Sequence, residues 1–392
     1  MSMRVLSRRL ERLPPYVFHE VNALKMKLRR DGVDIIDLGM GNPDQPTPDH
    51  IIDKMVEVAH DPKAHGYSPS AGLPALKRAI CRHYDRRFGV SLAPESESIV
   101  TIGSKEGIAH ILLALLDPGD QAIVPNPAYP LHLYGVAIAN GNVVSLPLRE
   151  EKNFVPDMEM LTRELWPKPK VMIFNFPHNP TTATVDISFF EEIVDFAKRQ
   201  NIIVIHDMAY SDIAFDGFEV PSMLQVKGAK DVGVEFYTMS KSYNMAGARV
   251  GFCLGNPKII HALSVIKNYY DYGVYTPIQV SAIAALDGPQ DCVRVARKRY
   301  QHRRDTLVEG LTRIGWKVPT PKASMFLWAP IPDQYQHMGS MAFSMKLMKE
   351  AEVAVSPGVG FGDNGEGYVR ISLVENDHRI RQAIRNIKRA LF

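Results

Sequence analysis

The chain has 392 residues, 45% of them hydrophobic and 23% charged, an ordinary globular composition with length for two or three domains, or one large domain with a satellite. A net charge of +3 with no long run of one sign gives no footprint for nucleic acid and leaves small anions as partners. Three cysteines without a CxxC pair and thirteen histidines without an HExxH-type cluster argue against a disulfide framework and a metal site, fit a reducing cytoplasm, and no apolar run is long enough to span a membrane.

Residues 1–15, "MSMRVLSRRLERLPP", are basic but lack an apolar core, so they are no secretory signal. Glu11 and the short length count against a mitochondrial presequence, and the segment reads as an arm packed on the body or on another subunit. Residues 16–45 run into turn chemistry at "GMGNPDQPTP" (39–48) and read as the first part of a smaller domain. "GMGNP" lacks the remainder of a GxGxxG fingerprint, so it is not taken as a dinucleotide loop.

From 46 to 288, short apolar runs alternate with helical patterns. "IVTI" (99–102), "AIV" (122–124), "NVVSL" (142–146), "VMIFNF" (171–176), "IIVIH" (202–206), "VEFYTM" (234–239) and "RVGFCLG" (249–255) read as buried strands, apolar on both faces as a helix-covered parallel sheet requires. "KEGIAHILLALL" (105–116), with Ile108, Leu112, Leu115 and Leu116 on one face, and "FFEEIVDFAKRQ" (189–200) read as helices. The expectation is an α/β domain with a doubly wound, mostly parallel, seven-stranded sheet. Beyond it, residues 289–392 hold a long charged helix (289–316) and strands at "SMFLWAPI" (324–331) and "GYVRISLV" (367–374), a smaller α+β domain.

Ligands of an open α/β sheet bind beyond the carboxyl ends of its strands. There the chain places "GSKEG" (103–107), "PHNP" (177–180), "DMAY" (207–210) and "SKSYNMAG" (240–247). Ser104 opens a helix, where free amides attract a phosphate or merely form a cap. Thr238 and Ser240 add hydroxyls, and Arg249 adds a fork suited to a phosphate dianion. Asp207 ends an apolar strand, where it is either a structural acceptor or the partner of a cation; His206 reads as a structural histidine. Asn179 and Tyr210 are neutral groups at neighbouring strand ends. Tyr129, in "PNPAYP", either stacks on a flat ligand or caps the core. Arg370 faces either solvent or a cleft where it would grip a carboxylate. Lys241 sits alone among small and hydroxyl residues in "YTMSKSYNMAGARVGF" (237–252).

In order and spacing, Gly41, Tyr67, Ser104, Tyr129, Asn179, Asp207 with Tyr210, Lys241 with Arg249 eight residues later, and Arg370 resemble the class I pyridoxal-phosphate-dependent aminotransferases, fold type I, over essentially the whole chain. "RLPPYVF", "TIGSKEG", "SKSYNMAG", "PKASMF" and "SPGVGFG" look most like the bacterial alanine, or glutamate–pyruvate, branch, with LL-diaminopimelate aminotransferases close by. The stacking position carries Tyr129 where other branches use Trp. Near "YYDYGVYTP" (269–277) no arginine matches the one that aspartate aminotransferases use for a side-chain carboxylate.

The resemblance implies pyridoxal 5′-phosphate as cofactor, with Lys241 as the Schiff-base lysine and proton carrier. It implies Asp207 on the pyridine nitrogen, Tyr210 and Asn179 on the 3′-oxygen, and Tyr129 on the ring face. Ser104, Lys105, Thr238, Ser240 and Arg249 would hold the phosphate, joined by Tyr67 from the neighbouring subunit of a homodimer with shared sites. Arg370, Gly41, Asn179 and Tyr16 would hold the substrate. The implied reaction is alanine with 2-oxoglutarate giving pyruvate and glutamate; the alternatives are LL-diaminopimelate or another amino donor, a lyase using the same lysine, or a cofactor-binding regulator without turnover. No nucleic acid or membrane partner is expected.

Overall fold

The seven apolar runs all become strands of one sheet. The computed structural model describes residue 3 and residues 5–162 and 167–392; residues 1, 2 and 4 of the expected arm lie outside the described residues. In chain order the strands are β1 (Ile36–Asp37), β2 (Ser98–Thr101), β3 (Gln121–Asn126), β4 (Asn142–Pro147), β5 (Val171–Asn175), β6 (Ile203–Asp207), β7 (Gly233–Thr238), β8 (Gly251–Gly255), β9 (Phe326–Pro330), β10 (Val353–Ala354), β11 (Ser356–Pro357) and β12 (Tyr368–Ser372).

The large sheet has the order β2-β8-β7-β6-β5-β3-β4. Its pairings are parallel except at β8, which runs antiparallel to both neighbours. The carboxyl ends of the other six strands therefore share one edge with the amino end of β8. Both faces of the sheet are covered. Met172, Phe174, Val204 and Tyr237 pack with Leu76, Ile80 and Tyr84 of the helix Pro74–Phe88 on one side. The alternate residues Ile173, Ile205 and Phe236 pack with Ile108, Ile111 and Leu112 of the helix Gly103–Leu115 on the other, the period-2 division that a doubly wound sheet demands.

One strand departs from expectation. β4, read as buried, is the sheet's terminal strand, and Asn142, Val143 and Ser145 are exposed. An edge strand has only one ladder partner, and here the basic arm blunts the edge: Arg12 Nη2 donates to the Gly141 carbonyl at 2.9 Å and to Asn142 Oδ1 at 3.0 Å. In the helix Gly103–Leu115, Leu115 is only half-buried, and Ile111 takes its place in the core.

A second, three-stranded antiparallel sheet has the order β11-β12-β9. Its core joins Leu327, Val369 and Ile371 to Leu307 and Leu311 of the helix Asp291–Arg313 and to Ile380 and Ile387 of the helix Asp377–Leu391. Tyr210, Ile213 and Phe215, which follow β6, belong to this core, so the segment after Asp207 ties the two sheets together. The N-terminal β1 pairs in parallel with β10.

Beneath the large sheet, Glu235 on β7 is fully buried. It accepts from Tyr84 Oη at 2.9 Å, Ser222 Oγ at 2.7 Å, the Met223 amide at 2.9 Å and His206 Nδ1 at 2.8 Å. His206 is therefore bonded through one ring nitrogen, while its Nε2 has no partner. A buried carboxyl group with four donors is costly to remove, because each donor is left unsatisfied. Glu235→Ala is expected to lose about 3–5 kcal/mol of stability, measured by urea denaturation; an unchanged transition midpoint would contradict this role.

Candidate active site

The shared edge of the large sheet collects the polar groups singled out in the sequence. Asp207 ends β6, with β5 and β7 pairing on either side, and is only 6% exposed. Its main-chain carbonyl accepts from Asn175 Nδ2 at 2.6 Å, and its Oδ2 meets His132 Nε2 at 3.1 Å. Its other oxygen, Oδ1, is buried with no hydrogen-bond partner. A desolvated carboxylate oxygen left open is costly, so the site is built for a cationic or strongly donating group to meet it there.

Asn179 and Tyr210 lie together. Asn179 Nδ2 donates to Tyr210 Oη at 3.2 Å, its amide donates to Asn175 Oδ1 at 2.8 Å, and its Oδ1 accepts from Arg370 Nη1 at 2.7 Å. Arg370, on β12, also donates through Nη2 to the Gly39 carbonyl at 3.0 Å and rests over the rings of Phe326 and Phe361 at 4.0 and 4.6 Å. It is buried, not solvent-facing, with Nε unpartnered, and burial lowers its pKa to about 10. Burial likewise raises the Tyr210 hydroxyl, keeping it a neutral donor.

Lys241 Nζ donates to the Gly41 carbonyl at 2.5 Å. Gly41 is packed so closely on Phe326 that a Cβ there would lie 2.5 Å from the ring, so a side chain would displace the carbonyl that holds the lysine. Burial first, then the charges of Arg370 and Arg249, lower the Lys241 pKa to about 8. A lysine so placed serves as a nucleophile or base near neutral pH.

The third cluster is an anion cradle. Gly103, with φ +75°, opens the helix that carries Ser104, and a Cβ at Gly103 would lie 2.5 Å from Arg249 Nη2. The guanidinium thus lies against the helix N-terminus, where free amides point outward. Arg249 adopts φ 56°, a left-handed conformation costing about 1–3 kcal/mol for a non-glycine residue, and its Nη1 donates to the Ala246 carbonyl at 3.0 Å. Because β8 runs antiparallel, a residue just before it reaches the same edge as residues just after the other strands. Thr238 Oγ1 donates to Ser240 Oγ at 2.9 Å.

The remaining expected residues are more peripheral. Tyr129 caps the helix Pro130–Ile138, half-buried, with its ring edge on His132 at 5.7 Å; burial and the Asp207 charge raise its pKa. Tyr16 is 61% exposed, with its ring edge-on to Phe18 at 5.4 Å. Lys105 is exposed. Tyr67 is 84% exposed and stacked on Tyr272 at 4.2 Å, outside the cluster formed within this chain. His132, Asn175 and Phe326 were missed from the sequence. Asn175 left a trace as the lone polar residue inside "VMIFNF", whereas His132, in "YPLHLYG", left none.

The cradle, the open oxygen of Asp207 and the neutral donors between them fit a flat, phosphate-bearing heteroaromatic cofactor. Among the described residues no helix is long and apolar enough to cross a membrane.

The family model for aminotransferase class I and II matches residues 33–387. The chain is 57% identical over 384 residues to the glutamate-pyruvate aminotransferase AlaC of Escherichia coli, covering 98% of this chain and 93% of that protein. It is 44% identical over 385 residues to the LL-diaminopimelate aminotransferase of Moorella thermoacetica, covering 98% of each. Among solved structures, substrate-bound BacF from Bacillus subtilis superposes with a TM-score of 0.93 at 37% identity, over 99% of this chain and 98% of that one.

The lowered pKa of Lys241 is directly measurable. With a pKa of about 8, roughly a tenth of the lysine is neutral at pH 7, against about one part in 3,000 for an ordinary lysine. In the cofactor-free protein, reductive methylation of Lys241 followed by mass spectrometry is expected to rise with pH to half-maximum near 8, well below the surface lysines. Titration of Lys241 together with the exposed lysines would contradict the assignment.

Proposed function

Because this chain belongs to the class I and II aminotransferase family, we propose that it moves the amino group of L-alanine to 2-oxoglutarate, forming pyruvate and glutamate. Amino transfer and dependence on pyridoxal 5′-phosphate belong to the family. The observation that carries the choice of alanine is the higher identity to the glutamate-pyruvate enzyme than to the LL-diaminopimelate enzymes. The second reading, LL-diaminopimelate as donor, is favoured by the several relatives that bear that name.

When bound, pyridoxal 5′-phosphate supplies an aldehyde carbon and a protonated ring that withdraws electrons from a substrate carbanion. In the proposed arrangement Asp207 Oδ1 would accept the ring N–H, giving that oxygen a partner, and His132, bonded to Oδ2, would keep the carboxylate oriented. Tyr210 Oη and Asn179 Nδ2 would donate to the 3′-oxygen, and Tyr129 would cover one ring face. Ser104, Thr238, Ser240 and Arg249 hold the phosphate, with Lys105 at the rim. Arg370 grips the substrate α-carboxylate, aided by Asn179, Gly41 and Tyr16. Lys241 Nζ would hold the cofactor's aldehyde end and, as a neutral amine when free, would carry a proton at Nζ to and from the substrate Cα.

The protein is proposed to act as a cytoplasmic homodimer. Tyr67 stacks on Tyr272, which is exposed together with its sequence neighbours Tyr269 and Tyr270, an aromatic surface suited to a second copy, and Tyr67 would complete the neighbour's phosphate site. Steady-state rates with a panel of amino donors, each against pyruvate and 2-oxoglutarate, test the reading. Alanine with 2-oxoglutarate is expected to give the highest kcat/KM, and Lys241→Ala to lower it by about 10³ or more. Preference for LL-diaminopimelate would replace the donor, and full activity in the variant would remove Lys241 from its role.

A further inference from the structure

A separate cavity of about 580 Å³ opens between the end of the helix Pro74–Phe88, the segment after Tyr210 and the start of the helix Asp291–Arg313. Its size is that of a small-molecule site, and it shares no lining residue with the cluster around Lys241. Its charges are unbalanced: Arg86, Arg87, Arg294 and Arg297 line it, against Asp212 and Glu219.

Three of these arginines are paired, Arg86 with Asp287 at 3.4 Å, Arg294 with Asp291, and Arg87 with Asp212. Arg297 reaches only the Asp212 main-chain carbonyl, through Nε at 3.3 Å, and has no carboxylate partner among the described residues. Glu219 is exposed and forms no ion pair among them. Arg87 and Arg297 thus converge on one residue, close enough that the Arg297 charge works against that of Arg87. A second observation points to a ligand. His83, only 6% exposed, lines the same cavity with its Nε2 unpartnered. Burial and the neighbouring arginines lower its pKa to about 3, so it stays neutral and offers an N–H without adding charge.

We infer that this cavity is a second binding site, for a small phosphate- or carboxylate-bearing metabolite held by Arg297 and Arg87 with His83 as a neutral donor. Guanidinium forks suit both oxyanions. The site reaches the lysine through Asp212, whose carboxylate takes Arg87 on one oxygen and the hydroxyls of Tyr237 and Ser242 on the other. Ser242 follows Lys241 directly. An anion that draws Arg87 from Asp212 changes the charge holding Ser242, and with it the setting of Lys241.

The test is calorimetric titration of the cofactor-loaded protein with inorganic phosphate and, separately, citrate, a readout independent of the amino donor. The expected result is saturable binding of at least one anion, weakened about tenfold or more in Arg297→Gln, less in Arg297→Lys, and unchanged in Lys227→Gln, which alters a neighbouring cavity. Whichever of the two binds assigns the ligand class. No binding of either, or equal affinity in Arg297→Gln, overturns the site. At saturating anion, kcat or KM of the unmodified protein is expected to change about twofold or more, with the change absent in Arg297→Gln. An identical response in both would place the anion at the Lys241 cluster and overturn the link.

Discussion

One buried carboxylate oxygen constrains the rest of the site. Asp207 Oδ2 is satisfied by His132, but the buried Oδ1 has no hydrogen-bond partner among the described residues. A carboxylate in that position is stable only beside a cation or a strong donor, and no side chain among the described residues supplies one to Oδ1. That oxygen suits a cationic or strongly donating group. Its position on an inner strand, with its carbonyl pinned by Asn175, prevents relief by turning outward.

The topology then decides what surrounds that oxygen. Six carboxyl strand ends and one amino end meet at one edge, so residues far apart in sequence converge without long loops. The reversed β8 delivers Arg249, and the smaller sheet delivers Arg370 through the register that opposes it to Ser356 and Trp328. Two arginines near Lys241 press it toward its neutral form, while Asp207 Oδ1 has no partner among the described residues. Gly41, close against Phe326, supplies the carbonyl that holds the lysine until then.

Much of this was legible in the sequence because parallel sheets need strands apolar on both faces, and such runs are conspicuous. Their ends then located Asp207, Asn179, Tyr210, Lys241 and Ser104. Legibility failed where a residue's role depends on a partner distant in the chain. β4 looked buried because its local pattern matches that of inner strands, and only the strand order exposes it. His132 lies 75 positions from Asp207 and has no local signature. Arg370 could have faced either way, since alternation on a strand gives two faces but not which one meets the cleft. The pairing of β1 with β10, near opposite ends of the chain, is equally a tertiary fact.

The central claim is that the open oxygen of Asp207 holds a positive ring nitrogen in the reacting complex. Its most direct test is kcat for the preferred donor in Asp207→Ala, measured on protein shown by its visible absorption to retain the cofactor. The account predicts a fall of about 10²–10³, as for removal of one electrostatic partner from a preorganised site. A cofactor-loaded Asp207→Ala protein with near-native kcat would contradict it.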